Sequence, residues 1–104
     1  MNNPSRMNAF SGTMMLELEE RISDLENWKE GKGLIVYGAE GTFCSGADLT
    51  TVKAISNPTD GLMMCMFMQN TVTRLQRLPL ISVALIQGRA IGGGAELCTA
   101  CDFR

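Results

Sequence analysis

Two glycine-rich corners hold the residues whose types and spacing could do chemistry. Gly92-Gly93-Gly94-Ala95-Glu96 follows the apolar run Leu80 to Ile86, and Thr42-Phe43-Cys44-Ser45-Gly46-Ala47-Asp48-Leu49 follows the apolar run Leu34 to Tyr37. Consecutive glycines let a backbone come close to a ligand. A glycine loop that opens a helix leaves N–H groups pointing outward, where they hold an anion or a carbonyl oxygen that becomes one. Two such corners, each at a strand end, predict an oxyanion hole with two backbone donors. Glu96 stands within one helical turn of the second corner. Alone it reads first as a first-turn glutamate that favours the helix dipole, worth about 0.3–1 kcal/mol. Beside a glycine triplet that follows a buried strand, a catalytic reading gains. Asp48 has the same structural alternative, and there a capping role is favoured.

Other chemistries fit less well. In a P-loop, Lys and Ser/Thr would stand where Gly94 and Ala95 are, and the dinucleotide fingerprint would need glycine at Leu97. The chain has no histidine, so no Ser-His-Asp or Cys-His device can be completed within it. Acid–base work falls to a carboxylate, a lysine, a tyrosine or the substrate itself. The four cysteines are Cys44, Cys65, Cys98 and Cys101. Cys98-Thr99-Ala100-Cys101 matches C-x-x-C, but zinc would need two further ligands, and a thioredoxin-like motif opens its helix whereas this one lies inside. The expectation is free thiols packed as small hydrophobes, and no metal site.

Bulk composition bounds the rest. At 104 residues, with 45% hydrophobic content, the chain allows one small domain, residues 1–104. The net charge of −2 offers no basic excess to attract nucleic acid or an anionic membrane surface. No apolar run is long enough to span a bilayer, and the N-terminus has no apolar core of a signal peptide. The expected address is the cytosol.

The elements that must position the two corners follow from periodicity. Ser11 is a candidate N-cap. A helix then runs to about Trp28, with Met14, Leu18, Ile22 and Leu25 as its apolar stripe and Glu17 and Arg21 four apart on its wet face. Leu34 to Tyr37 predicts a short strand buried on both faces. Asp48 to Ile55 predicts a short helix, and Ser56 to Gly61 a loop. Leu62 to Leu78 predicts a long helix stopped by Pro79. Its methionines (Met63, Met64, Met66, Met68) read first as core filler, and more sharply as the wall of an acyl pocket. Lys53, Arg74 and Arg77 could meet a ligand phosphate but read first as solvated surface. Leu80 to Ile86 predicts the clearest strand, and a last helix runs from about Ala95 to the chain end. This alternation predicts an α/β architecture with parallel strands.

The residues Phe43 to Leu49 and Gly88 to Leu97, with Cys101-Asp102 closing, resemble the crotonase (enoyl-CoA hydratase/isomerase) superfamily. Asn3-Pro4, followed by Asn8-Ala9-Phe10, resembles its N-terminal signature. A closer likeness, to decarboxylase members, is carried by Leu25 to Trp28, Cys65 to Thr71, Leu78 to Ala84 and Ala100 to Arg104. The resemblance implies a crotonase-like spiral of ββα turns with a CoA thioester bound across it. It implies an oxyanion hole from the N–H groups of Ala47 and Gly93, and matches Glu96 to one of two hydratase carboxylates. Cys44, Ser45 and Gly46 would border the adenine pocket beside Ala47, Gly92 would join the cofactor-binding positions, and Arg6 would lie near the CoA phosphates. CoA would enter as part of the acyl-CoA substrate, with no tightly bound cofactor, and the parent would be a homotrimer or hexamer. The implied reaction is loss of CO2 from a 2-carboxyacyl thioester through an enolate. Enoyl-CoA hydration or isomerisation is the alternative. Against the family pattern the chain resembles about the first half of a core, with Met1 partway into the first strand and Arg104 short of the second catalytic position. That implies a truncated core with little activity alone, or a non-catalytic interaction fragment.

Overall fold

The computed structural model describes residues 1–104. The chain winds in turns, each carrying a strand or a single extended rung into a helix. Phe10 leads into α1 (Gly12–Glu26). β1 (Gly33–Tyr37) passes through extended chain at Cys44 and Ala47 into α2 (Leu49–Ala54) and α3 (Pro58–Gln76). β2 (Ile81–Leu85) passes through Ala90 into α4 (Gly93–Ala100). Successive turns are joined by parallel pairing. β1 and β2 run in register from Gly33 opposite Ile81 to Tyr37 opposite Leu85. Single parallel rungs link Phe10 to Ala47, Cys44 to Ala90, and Val83 to Phe103. The α/β spiral expected from the sequence is thus present as strand, rung, helix.

Capping residues set the helix starts. The Ser11 hydroxyl accepts from Met14 N at 3.2 Å, Asp48 Oδ2 from Thr51 N at 3.1 Å, and Asn57 Oδ1 from Asp60 N at 2.9 Å. Each satisfies one of the backbone donors that a helix leaves without a partner in its first turn. Asp48 therefore has the capping role favoured for it. Asn57 moves the start of the long helix forward: α3 begins at Pro58, which stands at N1, so only Ser56 and Asn57 of the expected Ser56 to Gly61 loop lie outside the helix. The last helix is shorter than expected. It stops at Ala100, and the chain turns back so that Phe103 pairs with β2 through Ala84 N to Phe103 O at 2.8 Å. Asp102 Oδ2 fixes that return by accepting from Ser82 N at 2.8 Å and from the Ser82 hydroxyl at 3.1 Å.

The core lies between the inner sheet face and the helices. Phe43, Ile22 and Leu97 are fully buried, and Phe10, Met15, Leu75 and Cys98 pack with them. β1 corrects an expectation. It is not buried on both faces but alternates, with Leu34 and Val36 turned to the core and Ile35 and Tyr37 exposed. One face of this sheet is left without a layer, so the strand takes the half-covered pattern. On the wet face of α1, Arg21 pairs with Asp24 at 3.1 Å rather than with Glu17. Arg74 of α3 bridges to α1, meeting Glu19 at 2.6 Å, the Ser23 hydroxyl at 2.8 Å, and Glu26. No helix is long and apolar enough to cross a membrane.

Candidate functional site

The two corners meet, and glycine geometry explains how. Gly46 has φ 101° and Gly92 has φ 53°, values that side chains rarely adopt. The pairing of Cys44 with Ala90 sets the loops side by side, with Cys44 N donating to Arg89 O at 2.8 Å and Ile91 N to Cys44 O at 3.0 Å. A β-carbon on Gly46 would lie 3.7 Å from Gly93 N, and one on Gly92 would lie 3.8 Å from Gly46 Cα. Gly94 has a different task. A β-carbon there would run into the Cys44 carbonyl oxygen, so only glycine lets α4 sit against this rung.

Two backbone donors are left over at the junction. Phe10 N donates to Gly46 O at 2.7 Å, Asp48 N to Phe10 O at 2.8 Å, and Gly94 N to Ile91 O at 2.9 Å. The N–H groups of Ala47 and Gly93, between these bonded neighbours, have no acceptor within the chain. Each is an unsatisfied donor held by a bonded frame.

A groove opens on each side of the junction. One, of about 540 Å³, is lined by Gly93, Glu96, Phe10 and Met15 and by α3 through Met64, Cys65, Met68, Gln69, Val72 and Thr73. The other, of about 500 Å³, gathers Ala47, Ser45, Arg6, Arg89, Asp48 and Ile91. The methionine-bearing helix thus lines a pocket, with Met64 and Met68 doing so while Met63 and Met66 face solvent. Glu96 is exposed at the mouth of the first groove. Arg6 and Ser45 lie together in the second, with the Ser45 hydroxyl 3.4 Å from Arg6 O. Cys44 is fully buried and its side chain lines neither groove. Its thiol accepts from Gly46 N at 3.4 Å, and burial pushes it above the usual thiol range.

Two residues of the motifs quoted above have roles that the sequence did not assign. Arg89 adds a second cation to the groove of Arg6, with its guanidinium 2.9 Å from Met7 Sδ. Asn8 ties three loops together: its amide donates to Ala39 O at 2.8 Å and Thr42 O at 2.6 Å, and its Oδ1 accepts from Asn3 N at 2.8 Å. Neither shows in local patterning, because both act on distant segments. Arg74 is engaged by α1, away from both grooves. Cys98 and Cys101 are free and buried, donating one turn back to Ala95 O at 3.1 Å and Leu97 O at 3.6 Å. Burial raises the Cys101 thiol above its ordinary value, which argues against a redox pair. No group of three or more Cys, Asp or Glu side chains is placed to hold a metal ion.

Comparison with known proteins bears on this geometry. A family model described as enoyl-CoA hydratase/isomerase matches residues 1–104. The chain is 86% identical over 104 residues to a Xenopus tropicalis protein named ethylmalonyl-CoA decarboxylase, covering all of this chain and 35% of that one. It is 69% identical to the Homo sapiens protein of that name, of which it covers 34%. It spans about a third of the length of these curated relatives. Among solved structures it is similar to an enoyl-CoA hydratase from Bacillus anthracis, with TM-score 0.92 and 30% identity over 98% of this chain and 40% of that one. It is also similar to an enoyl-CoA hydratase/carnithine racemase from Magnetospirillum magneticum, with TM-score 0.91 and 28% identity over 97% of this chain and 39% of that one.

Proposed function

The chain belongs to the enoyl-CoA hydratase/isomerase family, and from that premise we propose that it builds the thioester-binding part of an acyl-CoA decarboxylase acting on ethylmalonyl-CoA or methylmalonyl-CoA. The observation that carries the reading is the pair of unsatisfied N–H groups at Ala47 and Gly93, held where two grooves meet. The name shared by relatives 69–86% identical to this chain supports the choice of reaction.

In this reading the thioester oxygen lies at the junction and accepts from both N–H groups. The acyl part enters the groove of Glu96 and the methionines. The CoA part follows the groove of Arg6, Ser45 and Arg89, whose two guanidinium groups suit phosphate oxygens. The bond between C2 and its carboxylate breaks and CO2 leaves. The electron pair moves into the C1–C2 bond, and negative charge collects on the thioester oxygen. One preorganised donor of this kind is worth about 2.7–4 kcal/mol in other enzymes. Proton return to C2 completes the acyl-CoA product, and Glu96, when protonated, is the acid at hand.

The test is product analysis with the full-length protein that carries this sequence. Release of CO2 from ethylmalonyl-CoA, with butyryl-CoA formed in equal amount, is the expected result. Hydration of crotonyl-CoA without CO2 release from either carboxylated thioester would replace this reading with the family's hydratase chemistry.

A further inference from the structure

The groove beside Glu96 has an internal polarity that the oxyanion hole does not explain. α3 presents two adjacent rows to it, each stepping by four residues and therefore lying along one helix face. Met64, Met68 and Val72 form an apolar row, and Cys65, Gln69 and Thr73 form a polar one. No lysine or arginine lines this groove, and its one charged residue is Glu96. The Gln69 amide and the Thr73 hydroxyl make no hydrogen bond within the chain. By contrast, Thr71, two positions away, donates to Phe67 O at 2.8 Å. Gln69 is exposed and Thr73 half-buried, so both can reach a ligand.

We propose that Gln69 and Thr73 recognise the substrate's departing carboxylate by donating hydrogen bonds to it, while the Met64–Met68–Val72 row takes the alkyl branch on C2. This rests on the reading of the site as an acyl-CoA decarboxylase. The chemistry favours neutral donors over a cation. In the reaction the carboxylate loses its charge as CO2 forms. A cation there would hold the ground state more strongly than the transition state and slow the step. Two neutral donors hold the anion well enough to select carboxylated thioesters over plain ones, because only a ligand that carries the carboxylate gains those hydrogen bonds.

The experiment uses the full-length protein with Gln69→Leu, Thr73→Val and the conservative Thr73→Ser. CO2 release from ethylmalonyl-CoA is measured, with butyryl-CoA as a competitive inhibitor. For Gln69→Leu and Thr73→Val we expect KM for ethylmalonyl-CoA to rise about 10-fold or more, kcat to hold or increase, and the inhibition constant of butyryl-CoA to stay within about twofold. Thr73→Ser should restore KM. A fall in kcat at constant KM would overturn the proposal, as would equal weakening of both thioesters or no change in either. Should the unaltered protein release no CO2, calorimetric titration with the two thioesters still decides. A preference for ethylmalonyl-CoA that both variants abolish sustains the polar row, although the reaction assignment has failed; equal affinities overturn it.

Discussion

Each glycine at the junction answers to a different constraint, and substitution separates them. At Gly94 an added methyl would meet the Cys44 carbonyl oxygen, whereas at Gly93 the nearest atom would be Phe10 Cδ2 at an ordinary 3.7 Å. Gly94→Ala is expected to lower the unfolding free energy by about 1–3 kcal/mol, the range for overpacking a tight contact. Gly93→Ala should change it by less than about 1 kcal/mol, because Gly93 is the first residue of α4 and an added methyl meets only ordinary contact there. Urea denaturation of the two variants side by side checks the contrast. Asn8 offers a second test. Asn8→Ala leaves the carbonyls of Ala39 and Thr42 and the N–H of Asn3 without their partner, at about 1–3 kcal/mol for each group left unsatisfied. The expected loss in a melting experiment is the larger because residue 8 sits at φ 55°, a conformation asparagine tolerates better than alanine does. The glycine corners were legible in the sequence because their role is local, a backbone shape that few residues adopt. The ties made by Asn8 and Arg89 were not, since each meets a segment brought near only by folding.

At the scale of elements, one side chain ties together the helix pair beside the groove of Glu96. Arg74 reaches from α3 to Glu19, Ser23 and Glu26 of α1. Hydrogen bonds from its guanidinium hold both carboxyls below the usual glutamate range. A depressed folded pKa means the native state binds fewer protons than the unfolded state in the acid range. The stabilisation is therefore present above the ordinary glutamate pKa of about 4.3 and is lost as pH falls toward the depressed values. Arg74→Met should destabilise the protein at pH 7, and its deficit relative to the unaltered protein should shrink below about pH 4. Unfolding curves at several pH values would show it, and a deficit independent of pH would leave the clamp a matter of packing alone. Element order and strand pairing followed from periodicity, but edges did not. Asn57-Pro58 reads as a turn in the sequence, and its N-cap bond to Asp60 turns it into a helix start.

At the scale of the whole molecule, the outer sheet face stands out. Ile35, Tyr37, Ile81 and Leu85 lie on the same side of the β1–β2 pair by register and are 54–65% exposed. A contiguous apolar face of this kind favours association. The 104-residue chain alone is expected to bind a hydrophobic dye and to self-associate at high concentration. Ile35→Lys combined with Ile81→Lys should lower both, as read by dye fluorescence and light scattering. The same chain should turn over little ethylmalonyl-CoA by comparison with the full-length protein. The burial of β1 was misread from its composition because an unbroken apolar run looks alike whether one face is covered or two.

The bonded frame around the two free N–H groups has a consequence for amide exchange with solvent. Phe10, Cys44 and Ile91 donate across single rungs between turns, so their protons leave only when turns separate. The protons of Ala47 and Gly93, two or three residues away, are tied to nothing in the chain. In deuterated water these two amides are expected to exchange fast among slow neighbours, an inversion of the usual link between rigidity and protection. A thioester oxygen seated between them would slow those two first, so occupancy could be followed through two protons without any turnover.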